Sequence, residues 1–258
     1  MSKVSGLSLL RTPRVLDLTH NPVGLWWFDG DLVDKTGNDD FGVVTGTLQY
    51  ASSHEHGRLA VRFRDNVLRI GGSSPAPSIL RVQGDVTVQA VLMLDTLIEG
   101  DTDGTDFFGC YGAAGNSLTT HDDLYGLSTA AFDTTTIIPL FFWRAAGNSY
   151  QVVKDDDFHL SLGQWYHVVG VRESEGGGTS TGRLYVNGAL IAEETGLTDP
   201  TDGSLTQVRS GQDVAGGVQG WRGGILSSAK VVPRALSARE VLGEYQYVAG
   251  ERGNPVIQ

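Results

Sequence analysis

Period-two alternation governs this chain. The stretches 85–93 (DVTVQAVLM), 58–64 (RLAVRFR) and 164–171 (QWYHVVGV) set an apolar residue at every second position, which lets a β-strand bury one face and wet the other. In the third stretch Trp165, His167, Val169 and Val171 share a face. Strand-length runs also occur at 24–28 (GLWWF), 67–70 (VLRI), 125–127, 137–143 and 150–153 (YQVV). The most specific local signal is 183–192 (RLYVNGALIA). Its Asn187-Gly188 pair suits the two positive-φ positions of a type I′ turn and predicts a hairpin. One helix is expected, over 238–247. Ser237 and Glu240 form a capping box, and Leu236 and Val241 can staple across the cap. Gly243 weakens this helix, so tertiary packing must support it. Helical periods are nearly absent elsewhere, which excludes helix-rich and alternating βαβ folds.

Composition narrows the class further. The 35 glycines are dispersed without a period among Asp, Asn, Ser and Thr, as tight turns require and collagen forbids. A chain of 258 residues fits one antiparallel sandwich. Cys110 is the single cysteine, so no intramolecular disulfide forms, and the count leans towards a reducing compartment. A net charge of −11 repels phosphate backbones and argues against nucleic acid as a partner. No apolar run approaches the ~20 residues of a membrane-spanning helix, so no membrane insertion is expected. Lys3, Arg11 and Arg14 make a poor secretory signal, so no signal peptide is expected. We divide the chain into an arm (1–22, punctuated by Pro13 and Pro22, where Leu16 and Leu18 alternate as in one short strand), a domain (23–248) and a tail (249–258).

The order of these pieces resembles the laminin G-like, concanavalin A-like superfamily. An aromatic strand ends in an acidic turn (WWFDGDLVDKTGN). It is followed by GVVTGT, GRLAVRF, DVTVQAVLM, LGQWYHVVGV, GRLYVNGALIA, and Gly223-Gly224-Ile225 leading into VVPRALSAREVLGEY. The resemblance implies an all-β jelly roll of two antiparallel sheets, about a dozen strands, with ligands at loop edges or on the concave sheet. It also implies a calcium site at Asp29, Asp34 and Asn38. There the sequence departs from the pattern, because Leu226 is followed by Ser227 and Ser228 where relatives carry acidic residues.

Other candidates come from residue type and spacing. Asp101, Asp103 and Asp106 in DTDGTD could fold around Ca2+, which takes six to eight oxygens, or could form a solvated turn. Residues 155–157 (DDD) read as an exposed turn. His54 and His56 would share a strand face and could meet one transition metal, but no third ligand is identifiable. His167 reads as a core histidine. Tyr125, Trp143 and Trp221 are the glycan candidates, since flat aromatic faces suit sugar rings. Laminarinase-type hydrolases of this fold carry E-x-D-x-E on a strand. Here only Glu99-Gly100-Asp101-Thr102-Asp103 imitates it, and it lies in a Gly- and Thr-rich loop. No G-x-S-x-G nucleophile elbow is read, because the match at 178–182 (GTSTG) continues the 176–178 (GGG) hairpin tip, and no H-E-x-x-H or P-loop is present.

The expectation is therefore a non-catalytic structural or adhesion module, with no cofactor other than Ca2+. Proteins of this fold usually work outside cells, yet no secretion signal is read here. A virion, assembled in the host cytoplasm and acting outside, reconciles the two. We expect a bacteriophage capsid-decoration or tail protein, a homo-oligomer that docks on other virion subunits through residues 1–22 and binds cell-surface glycans. The alternatives are a free-standing lectin and a glycoside hydrolase.

Overall fold

The computed structural model describes residues 19–53, 58–63, 67–70, 76–95, 105–112, 123–131, 137–145, 149–200, 206–210 and 223–250. The strands are β1 (Gly24–Trp27), β2 (Phe41–Thr45), β3 (Gln49–Ser52), β4 (Leu59–Phe63), β5 (Val67–Ile70), β6 (Val86–Leu94), β7 (Thr105–Gly112), β8 (Tyr125–Ala131), β9 (Ile137–Ala145), β10 (Ser149–Lys154), β11 (Trp165–Gly176), β12 (Thr179–Val186), β13 (Ala189–Thr198), β14 (Thr206–Ser210) and β15 (Gly224–Val232). A 3-10 turn spans Ser78–Leu80, and one helix, α1, spans Ala238–Gly250. One sheet has the order β13-β12-β11-β6-β15-β4-β3, with β1 also paired to β15. The other has the order β10-β9-β8-β7-β14-β5-β2. Every strand pairing is antiparallel. The all-β two-sheet sandwich expected from the sequence is what forms. No helix among the described residues is long and apolar enough to cross a membrane.

Alternation builds the interior. On β6, Val86, Val88, Ala90, Leu92 and Leu94 point between the sheets, while Thr87, Gln89 and Val91 point the other way. Trp26, Phe41 and Phe108 meet in one aromatic cluster, with ring centroids 5.0 Å (Trp26–Phe41) and 5.6 Å (Trp26–Phe108) apart. Each such buried side chain stabilises the sandwich by about 1.5–3 kcal/mol. Packing is close enough that a Cβ on Gly170 of β11 would sit 2.2 Å from the Phe141 ring across the sandwich.

The local signals take the forms their chemistry dictates. Asn187 and Gly188 adopt φ of 51° and 78° and join β12 to β13 in the expected hairpin. Ser237 N donates to Glu240 Oε2 at 2.8 Å, closing one side of the capping box, and Glu240 N lies 3.4 Å from Ser237 Oγ. The hydrogen bond from Arg234, with that from the Ser237 backbone, holds the Glu240 carboxyl down to about 2. Leu236 and Val241 pack with Val169, Val171, Tyr185 and Val232 in a second, smaller core, so α1 covers the outer face of the eight-stranded sheet. Thr87 Oγ1 donates to Arg234 O at 2.8 Å and accepts from Leu236 N at 3.0 Å, which ties the approach to the helix onto β6. The helix runs three residues beyond the expected 247.

Two parts differ from expectation. Strands β3, β7 and β14 match none of the pieces read from the sequence, β2 and β15 match only the family pieces at 42–47 and 223–225, and the strand count exceeds a dozen. Strand β7 starts at Thr105, so Asp106 stands in a strand, in register with Ser128 of β8, and not in an acidic loop.

Candidate functional site

The acidic turn after β1 is built around a carboxylate that is already fully engaged. Asp34 is 3 % exposed. Its Oδ1 accepts from Leu25 N (3.0 Å) and Thr36 N (2.9 Å). Its Oδ2 accepts from Thr36 Oγ1 (2.7 Å), Asn38 N (3.0 Å) and Asp39 N (3.2 Å). Asn38 Nδ2 donates to Val23 O at 2.8 Å. Asp29 turns elsewhere: it accepts from Arg58 Nη1 (2.8 Å) and Leu59 N (2.9 Å) and so joins the end of β1 to the start of β4. Asp34 and Asn38 clamp a turn, Asp29 clamps a strand, and the donors on Asp34 are the protein's own N–H and O–H groups. Among the described residues no group of three or more His, Cys, Asp or Glu is placed to hold a metal ion. Asp101 and Asp103 lie outside the described residues, as do Glu99 and residues 54–56.

Two of the three glycan candidates belong to the interior. Tyr125 and Trp143 are both 0 % exposed. Parity decides this: Tyr125 shares its face with Leu127, and Trp143 shares its face with Phe141, all in the main core. Their polar tips end on backbone carbonyls, Tyr125 Oη on Leu80 O and Trp143 Nε1 on Thr198 O, each at 2.8 Å. Burial pushes the Tyr125 phenol well above its ordinary range. Neither ring can offer a face to a sugar. Trp221 lies outside the described residues.

Beside them is a buried cation that the sequence alone does not reveal. Arg172 of β11 is 0 % exposed and donates to the carbonyls of Val82, Gln83, Gly84 and Leu124. Its guanidinium carbon lies 5.4 Å from the Trp143 ring centroid. Burial lowers its pKa to about 10, so it stays charged at neutral pH. It joins the 82–84 loop to the start of β8 and is a structural group.

The arrangement best suited to a ligand lies on the outer face of the seven-stranded sheet, at the β9–β10 edge. Arg144 and Phe142 of β9 alternate with Phe141 and Trp143 and therefore face outward. Tyr150 is in register with Arg144, and Val152 with Phe142. Arg144 Nε donates to Asp123 Oδ2 at 2.8 Å, and Arg144 N donates to Asp123 O at 2.8 Å. Asp123 is 1 % exposed and Arg144 is 3 % exposed. The guanidinium carbon lies 3.7 Å from the Tyr150 ring centroid, and Arg144 Nη2 donates to Tyr150 Oη. Phe142 meets the same ring at 5.8 Å, nearly edge-on at 62°. Tyr150 is nevertheless 44 % exposed. A buried ion pair and a phenylalanine therefore fix one aromatic ring whose remaining surface faces water. Further along β10, Lys154 pairs with Asp156 at 2.6 Å, both accessible. Four strand residues at ~3.3 Å each put Lys154 about 13 Å from Tyr150. Residue type alone does not single out Tyr150, although the parity of 141–144 carries the signal.

A two-sheet antiparallel jelly roll closed by a short C-terminal helix defines the class of protein. The family model described as the concanavalin A-like lectin/glucanases superfamily, of the laminin G type, matches residues 74–242. The chain belongs to that superfamily. No curated protein matches the sequence. Among solved structures, domain 4 of AbnA, an extracellular GH43 arabinanase from Geobacillus stearothermophilus solved with arabinotriose, is similar with a TM-score of 0.60 and 17 % identity, over 87 % of this chain and 98 % of that one. The receptor-binding domain of botulinum neurotoxin type G is similar with a TM-score of 0.60 and 10 % identity, over 88 % of this chain and 51 % of that one. The binding domain of botulinum neurotoxin DC in complex with SialylT gives a TM-score of 0.60 and 10 % identity, over 88 % of this chain and 51 % of that one. The chain thus spans about half of each neurotoxin domain. At these identities the likeness is one of fold.

Proposed function

We propose that this protein is a non-catalytic, lectin-like module that binds an oligosaccharide along β10. The observation that carries the reading is Tyr150: an accessible aromatic ring held from behind by the buried Arg144–Asp123 pair. Sugar recognition needs a flat apolar surface for the C–H face of a ring and polar groups for its hydroxyls. Tyr150 supplies the first. Lys154 and Asp156, a strand's length away, supply the second for a chain longer than one ring. Arg144 and Asp123 are positioning residues, since both are buried. The carbohydrate ligands named for AbnA domain 4 and for the neurotoxin DC domain support the ligand class.

The test is calorimetry or array binding against arabino-oligosaccharides and sialylated glycans, with Tyr150→Ala beside the parent. Binding should weaken at least about tenfold in the variant, a loss of about 1.4 kcal/mol. Undiminished binding by Tyr150→Ala, or no binding by the parent to any glycan in a broad panel, overturns the proposal.

A narrower form of the reading places this module in a virus particle, assembled in the host cytoplasm as a homo-oligomer and docked through residues 1–22. One contact supports an anchored arm: His20 Nε2 stands 3.3 Å from Glu244 of α1, and Arg234 Nη2 bonds its other ring nitrogen. Deleting residues 1–22 should then convert an oligomer to a folded monomer by light scattering. An unchanged assembly state, or a monomeric parent, refutes this form and leaves the glycan proposal standing.

A further inference from the structure

Beside its apolar contacts, α1 meets the eight-stranded sheet along a polar seam. Gln89 of β6, His167 of β11, Ser228 and Lys230 of β15 and Glu244 of α1 form the polar side of a partly open cavity of about 30 Å³, whose other side, Leu25, Val91 and Val248 among others, is apolar. Lys230 Nζ donates to both carboxylate oxygens of Glu244 at 2.9 Å, and both side chains are buried. Gln89 is 4 % exposed. Its Oε1 lies 2.9 Å from His167 Nε2, and its Nε2 has no hydrogen-bond partner in the protein. Turning the amide over does not resolve this, because Nε2 would then meet His167 and Oε1 would be the atom left over. Buried amide groups are satisfied in nearly all folded proteins, by protein or by ordered water.

We propose that this cavity is a hydration site. Ordered water accepts a hydrogen bond from Gln89 Nε2 and links it to the Lys230–Glu244 pair, so that α1 docks on the sheet partly through water. Size and chemistry both select this occupant. One water needs roughly 10–15 Å³ of such volume, so the cavity holds one or two. An apolar guest would leave the Gln89 amide unsatisfied. A cation would face the Lys230 ammonium and the amide N–H groups, and an anion would face the Glu244 carboxylate. Among these occupants only water both accepts from Gln89 and donates to Glu244.

High-resolution crystal structures of the full chain test this, one in native crystals and one under xenon pressure. The expected result is solvent density within hydrogen-bonding distance of Gln89 Nε2, and no xenon at that point. A dry cavity, or xenon inside it, overturns the proposal. A Gln89→Leu crystal should lose that density while the Lys230–Glu244 contact persists. Water unchanged in Gln89→Leu would also overturn it, because the amide would then not be what holds it. The native crystals decide between a wet and a dry cavity even if the variant does not fold.

Discussion

Replacing Arg172 with methionine should destabilise the sandwich by about 3–5 kcal/mol, because several buried carbonyls lose a donor at about 1–3 kcal/mol each, not fully additive. Methionine restores the apolar stem but leaves the carbonyls of Val82, Gln83, Gly84 and Leu124 facing a side chain with no donor. Hydrogen bonds from a cation contribute about 1.5–3 kcal/mol each. These contributions do not add in full, because burial already disfavours the charged form and lowers the pKa to about 10. Arg172→Lys separates charge from geometry. An ammonium is compact and cannot span from the 82–84 loop to Leu124 as a planar guanidinium does, so lysine should recover only part of the loss. Urea denaturation followed by tryptophan fluorescence reads the free energy, and Trp143 lies beside the site. At roughly 2–4 °C per kcal/mol for a domain of this size, the melting point should fall by about 6–20 °C in the methionine variant. A loss below ~1 kcal/mol, or a lysine variant as stable as the parent, would refute the idea that Arg172 fastens these segments.

Three further outcomes follow from the same structure. Asp34→Asn sets an amide N–H against backbone N–H groups and should lower stability by about 2–4 kcal/mol; added calcium should not restore it, and a calcium-dependent rescue of the melting point would reinstate a metal at that turn. Glu240 titrates at about 2 in the folded chain against 4.5 unperturbed, so its stabilising contribution is complete above about pH 4.5 and fades as pH falls towards 2. Glu240→Gln should flatten that part of the acid-unfolding curve followed by circular dichroism; an unaltered curve would remove Glu240 from the account of acid stability. Gly170→Ala should lower stability by about 1–3 kcal/mol through overpacking against Phe141, and a thermal melt indistinguishable from the parent would show that the two sheets yield more readily than their packing implies.

The fold was legible because its strongest determinants are local. The Asn187-Gly188 turn, the Ser237/Glu240 box and the alternation of 85–93 each specify their own geometry without help from distant residues, and each takes the expected form. The strands that escaped detection lack such signals. Strand β3 (QYAS) shows no clean alternation and is a short edge of its sheet. Strand β7 (TDFFGCYG) carries adjacent Phe107 and Phe108, both in the main core, across a register shift between Asp106 and Phe108. Such a bulge resets parity, so a period-two template fails there.

The candidate site was less legible because exposure belongs to the assembled sheet. Trp143 is the larger aromatic and by residue type the better sugar platform, yet the β9 parity that buries Phe141 buries Trp143 with it. The same parity turns Arg144 outward, and the pairing of β10 with β9 then puts Tyr150 on the Arg144 face. A shift of that pairing by one residue would exchange Tyr150 for Gln151 and bury the tyrosine. Residue type alone therefore points to the wrong ring. Type combined with strand parity points to Tyr150, because on β9 and β10 the parity that carries Phe141 and Trp143 lies between the sheets and the parity that carries Arg144 and Tyr150 lies on the outer face.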